Sequence, residues 1–205
     1  MSLPVLILFI GFAYVVLFGG LSLLKREELS AQFAIEAVAI TLIFSGLAAY
    51  VNLEIHPVLF LFVVYLITMR VRLLVDIGTI FARRKQFPLA EQFFNFAMRV
   101  WPDQPGKLIV RINQGVAYFQ QGDLDKAIAV FKEIMQAIDH SRINAKLEAA
   151  AHYNLGVAYL RQNKDAQATV EFNIVVDSWP ATEYARHASA NLEQHRRKSI
   201  PDKEV

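Results

Sequence analysis

Gly115-Val116-Ala117-Tyr118 is followed by Gly122, Ala127 and Phe131, and Gly156-Val157-Ala158-Tyr159 is followed by Asn163, Ala168 and Phe172. Each residue of the first set lies 41 positions before its counterpart in the second. A fainter copy stands 37 positions before the first: Gly78, Phe81, Lys85, Ala90 and Phe94, continuing to Ala97 and Trp101-Pro102. The last copy closes on Trp179-Pro180. One apolar stripe at helical spacing is ordinary helical core. Three stripes in phase are an internal repeat, and a period of about 20–50 residues marks a stacked array of like units.

Each repeated position has a physical reason. A Gly on the first helix lets a partner helix approach closely, and the aromatics fill the space between the two. An Ala at the start of the second helix permits a tight crossing. Gly122 and Asn163 tolerate the left-handed turn between helices. Asp123 and Lys164-Asp165 fall where a polar cap is favoured. Pro102 and Pro180 stop the second helix. The middle copy has Asp139 in place of that Pro, which suits a helix running on.

On these residues the sequence resembles the tetratricopeptide repeat family, whose unit of about 34 residues is a helix–turn–helix. The units fall at 71–104, 108–141 and 149–182. Three extra residues at 105–107 and seven at 142–148 separate them, and the longer insert is expected to extend helices. Residues 183–198 form a polar capping helix, with Tyr184, Ala185, Ala188 and Leu192 as its apolar stripe. Residues 199–205 are a tail.

The first third is different. Of 205 residues, 55% are hydrophobic and 20% charged, and mean hydropathy is +0.32. Residues 1–69 hold only Lys25, Arg26, Glu27, Glu28, Glu36 and Glu54, while the rest carry 19 Lys and Arg against 15 Asp and Glu. Residues 1–70 therefore read as membrane-embedded, with spans at about 3–24, 33–53 and 57–75. The first is expected to be a retained span rather than a cleaved signal peptide, because Met1 to Pro4 lacks a basic side chain. Glu36 is expected to reach the headgroups, or else to pair with another subunit. The fold class is thus all-α: three transmembrane helices, a three-repeat solenoid and a capping helix. Pro57 to about Arg84 is expected to be one continuous helix, serving as both span and first repeat helix.

Basic segments stay on the cytoplasmic side. Lys25 and Arg26 follow the first span, no Lys or Arg follows the second, and Arg70, Arg72, Arg83, Arg84 and Lys85 follow the third. Three spans then place the N-terminus outside and the repeats in the cytoplasm, as in a bacterial inner membrane or its equivalent.

Other chemistry finds no foothold. The absence of Cys excludes disulfide, zinc-thiolate and Cys-nucleophile sites. A net charge of +2 is too small to suggest nucleic acid. No phosphate-binding Gly-rich loop or nucleophile elbow is present. The five His (His56, His140, His152, His187 and His195) lack the i, i+4 spacing of a helical metal pair, and polar surface roles are expected for them. The chain reads as a non-enzyme with no cofactor or metal.

The family resemblance implies a concave groove lined by each first helix. By register its residues are Val75, Thr79, Ile112, Val116, Phe119, Tyr153, Val157 and Leu160, with Arg161 at the rim. Repeats that clamp chaperone C-termini need basic residues and Asn there. Val75, Thr79, Ala150 and Asn154 do not match, and only Asn113 does. An apolar groove suits an amphipathic or apolar segment. The expected role is a scaffold or assembly factor for a membrane protein complex, similar in architecture to the photosystem I assembly proteins of cyanobacteria and chloroplasts. The alternative is a permanent subunit of such a complex. Partners are a membrane protein and the lipid bilayer, with self-association open.

Overall fold

The computed structural model describes residues 2–24, 31–50, 56–137 and 145–199, and the regular structure among them is helical. Three helices open the chain: α1 (Leu3–Leu24), α2 (Ala31–Tyr50) and α3 (Pro57–Thr68). Three pairs follow: α4 (Arg70–Arg83) with α5 (Phe87–Arg99), α6 (Gln104–Gln121) with α7 (Leu124–Ala137), and α8 (Ala145–Arg161) with α9 (Asp165–Ser178). The last helix is α10 (Glu183–Ser199). Residues 138–144, which include His140 and the first three residues of the longer insert, lie outside the described residues, as do 200–205, while 145–148 form the start of α8.

α1 and α2 are each long and apolar enough to cross a membrane. They run antiparallel, since Ser45 meets Pro4, Thr41 meets Gly11 and Phe33 meets Phe18. At Gly11 an added Cβ would sit 2.2 Å from Thr41 Oγ1, so only Gly allows this approach. The small residues Gly11, Ser45 and Ala48, which could have served a neighbouring chain's helix, are used inside this bundle. α3 packs antiparallel to α2, with Phe60 against Phe44 and its far end beside Glu36. His56 caps α3, its Nδ1 accepting from Val58 N at 3.3 Å, and Pro57 occupies the first turn, where a missing N–H costs nothing.

The expected continuous helix from Pro57 is broken at Met69, where α3 and α4 meet at 71°. At 12 residues α3 covers about 18 Å, short of a ~30 Å hydrocarbon core. It meets the length of a crossing only together with α4, through the bend. The break follows from Arg70, whose guanidinium takes the Ile67 carbonyl and is drawn sideways to Glu36, Val100 O and Trp101 O.

Each helix pair is built on one interlock. Phe94, Phe131 and Phe172 are fully buried, and each ring lies on the Gly of its own first helix. A Cβ at Gly78, Gly115 or Gly156 would fall 2.6, 2.6 or 2.7 Å from the facing ring carbon. The turns repeat as well. Lys85, Gly122 and Asn163 occupy one register and all have positive φ: 59°, 92° and 56°. Only Gly adopts this conformation without a Cβ penalty. Gly122→Ala should therefore cost about 1 kcal/mol, and Lys85→Gly should recover a similar amount. Chemical denaturation checks both, and equal and same-signed shifts would contradict the assignment.

Caps finish the elements. Asp103 Oδ1 accepts from Gly106 N at 2.8 Å, and Thr182 Oγ1 accepts from Ala185 N at 3.2 Å. Asp123 accepts from Lys126 N and pairs with its ammonium at 2.7 Å, which holds the Asp123 carboxyl below its usual range. Lys164, expected at a cap, makes no capping hydrogen bond. α10 closes the array by burying Ala185 and Ala188 on α8 and α9. Its outer face, including Arg186, Glu193 and Arg197, is exposed.

Candidate protein-interaction site

The first helices α4, α6 and α8 pack side by side as an inner row. The second helices α5 and α7 pack on their own partners and on the next first helix. A ligand touching all three units at once would therefore lie along the inner row.

The nine register positions do not share one fate. Val75 and Ile112 are buried between helices. Thr79, Val116, Phe119, Tyr153, Val157 and Leu160 are half-buried, and Arg161 is exposed. Tyr153 packs against Tyr184 and His187 of the capping helix, with ring centroids 5.8 and 6.0 Å away. Burial there pushes the Tyr184 hydroxyl above its ordinary pKa, with Glu183 adding to the shift. Thr79 is spent at the seam of units one and two, its hydroxyl 2.8 Å from Val75 O and 3.2 Å from Asn113 Oδ1. Arg161 lies over the Phe119 ring at 5.5 Å, tying unit three to unit two. Such a contact contributes about 0.5–1 kcal/mol when exposed.

Val116, Phe119, Val157 and Leu160 are half-buried side chains packed against the core of units two and three, and Arg161 lies beside them over Phe119. Asn113, the single match to a carboxylate clamp, donates to Ile109 O at 2.8 Å, and Asn154 donates likewise to Ala150 O. Both amide N–H groups serve their own helix backbone, and Asn113 Oδ1 also faces the Thr79 hydroxyl.

Two family models, each described as tetratricopeptide repeat, match residues 70–139 and 150–182. The chain is a tetratricopeptide repeat protein. No curated protein and no solved structure matches it. Repeats of this family are in general non-catalytic modules for binding other proteins, and the protein-interaction role is the part supported for the present chain. The first match begins at Arg70, the residue at which the chain turns out of α3.

Two groups of polar side chains escaped the sequence reading. Glu36 neither stands alone nor awaits another subunit. It forms a two-point pair with Arg70, at 2.5 and 2.8 Å, and accepts from Gln32 Nε2 at 2.7 Å. Gln32 also donates to Trp101 O at 2.8 Å. The end of unit one is thus tied to the first turns of α2. A lone carboxylate and a lone Arg in an apolar region each need a partner, and that need was the available signal. The second is His152, which was expected on the surface. Its Nδ1 lies 2.6 Å from Glu171 Oε2, with both side chains about 15% exposed, and its ring sits 5.6 Å from Trp179. The pair bridges α8 and α9 inside unit three. Among the described residues, no group of three His, Asp or Glu could hold a metal ion.

Proposed function

We propose that this tetratricopeptide repeat protein is a membrane-anchored scaffold or assembly factor, without catalytic activity, for a membrane protein complex. It holds an apolar or amphipathic segment of that complex against Val116, Phe119, Val157 and Leu160. The observation that carries the reading is the polar join between the membrane helices and unit one. The inner row is coupled through Arg70 and Glu36 to helices of membrane-spanning length. An anchor of this kind turns a weak contact with a neighbouring membrane protein into an effectively intramolecular one.

The repeats face the cytoplasm in this proposal, with the N-terminus outside. Support comes from which end of the bundle the repeats leave. They leave beside Gln32 and Glu36, where α2 begins, which is the end bearing Lys25 and Arg26 in the sequence. The second reading is a permanent subunit. It is favoured by Gly20 and Gly46, where an added Cβ would meet nothing within 4 Å, so that another span could approach closely.

The test is copurification from native membranes in mild detergent with a C-terminal tag. Phe119→Asp and Leu160→Asp should each weaken partner retention at least about tenfold, the size of an interface hot spot. The helical circular dichroism should be kept. Full retention of the partner by both variants would sink the groove assignment. A fixed-ratio complex would favour the permanent subunit, and a substoichiometric one the assembly factor.

A further inference from the structure

Trp101 and Trp179 occupy the same position of their repeats, each just before the Pro that follows the second helix. Their conformations are opposite. Trp179 has φ −134°, is half-buried and lies against His152 of its own unit. Trp101 has φ +51°, a left-handed backbone that a bulky residue rarely adopts, and the residue is 83% exposed. Strain of this kind persists where the surroundings over-determine it. Here the Trp101 carbonyl accepts from Gln32 Nε2 at 2.8 Å and from Arg70 Nη2 at 3.2 Å, and the Val100 carbonyl accepts from Arg70 Nε at 2.8 Å. Three donors therefore hold the chain in the form that turns the indole outward.

The place matters as much as the strain. Gln32 is the second residue of α2, and Glu36, bonded to both Gln32 and Arg70, lies one turn further in. α2 is 20 residues long, about 30 Å, which matches the hydrocarbon thickness of a bilayer. Its first turns, and anything fixed to them, therefore stand at the headgroup level. α4 leaves α3 at 71°, so unit one departs sideways from the bundle. An indole combines an apolar ring with an N–H donor, and Trp is enriched at this boundary.

We infer that Trp101 is an interfacial anchor, inserted at the headgroup–acyl boundary of the same bilayer that α2 enters, fixing the first repeat against the membrane surface. The inference rests on α2 spanning the bilayer. Gln32 and Arg70 are its positioning residues, acting on the backbone rather than on the lipid.

The test uses the full chain in vesicles of phosphatidylcholine and phosphatidylglycerol, with Trp179→Phe leaving Trp101 as the only Trp. The expected result is that Trp101 fluorescence is largely quenched by lipids brominated near the ester end of the acyl chain. Iodide in the water should quench it little. The reciprocal Trp101→Phe variant, reporting Trp179, should be insensitive to brominated lipid. Ready quenching by iodide, or shielding from both quenchers, in chains that resist carbonate extraction would overturn the anchor. Chains that carbonate extracts would instead overturn the spanning of α2, and the anchor with it.

Discussion

Phe131→Ala should destabilise the chain by about 3–5 kcal/mol, the range for emptying a fully buried aromatic site. The Phe131 side chain is 0% exposed and fills the gap between α6 and α7 over Gly115. Gly115→Ala attacks the same contact from the other side. Its Cβ would lie 2.6 Å from Phe131 Cε1 and 2.8 Å from Cζ. Either the ring leaves its place or the helices part, at about 1–3 kcal/mol for overpacking. The two changes should not add. With the ring already removed, the extra methyl enters a cavity, and the Gly115→Ala penalty should largely vanish. A coupling of about 1–3 kcal/mol is expected for groups in direct contact. The middle unit is the place to look, because each repeat is stabilised by its neighbours and this one has a neighbour on both sides. Melting the single and double variants in detergent, followed by circular dichroism, gives the cycle. Equal Gly115→Ala penalties in both backgrounds would mean that the ring and the Gly do not interlock.

Arg70→Ala should cost about 2–4 kcal/mol and loosen the repeats from the membrane helices. The change removes the two-point pair with Glu36 and also the donors to Ile67 O, Val100 O and Trp101 O. Breaking a buried ion pair from one side costs about 3–5 kcal/mol. These side chains are 22% and 24% exposed, which lowers the figure. Exchanging the charges, with Glu36→Arg and Arg70→Glu together, should restore only part of the loss. A carboxylate at position 70 cannot donate to three carbonyls. Limited proteolysis of native chains provides a sensitive readout: the wild-type junction at 68–76 should resist cutting, and Arg70→Ala should be cut there. Clean release of a folded 71–205 fragment from the wild type would show that the join is not rigid.

The repeats were legible because Gly, Ala, Phe and the turn residues encode backbone approach at fixed offsets. Lys85 illustrates the limit. Nothing in a Lys signals a left-handed turn, and the position is recognised only from its register with Gly122 and Asn163. The bend at Met69 was not legible, since no Gly or Pro lies near it. It is made by contacts of Arg70 with residues 34 and 31 positions away in opposite directions. The burial of the expected groove positions was not legible. Side-chain spacing places Val75, Ile112 and Tyr153 on the inner row. Whether they face outward depends on the neighbouring unit and the capping helix, and these cover all three to different extents.

Crosslinking from the inner row locates the partner. A photoreactive residue at Leu160, on the inner row, should form adducts with a membrane protein in native membranes. The same residue at Val170, 56% exposed on the outer helix α9, should form few. Adducts from Val170 in place of Leu160 would put the partner on the outer face and rule out binding along the inner row.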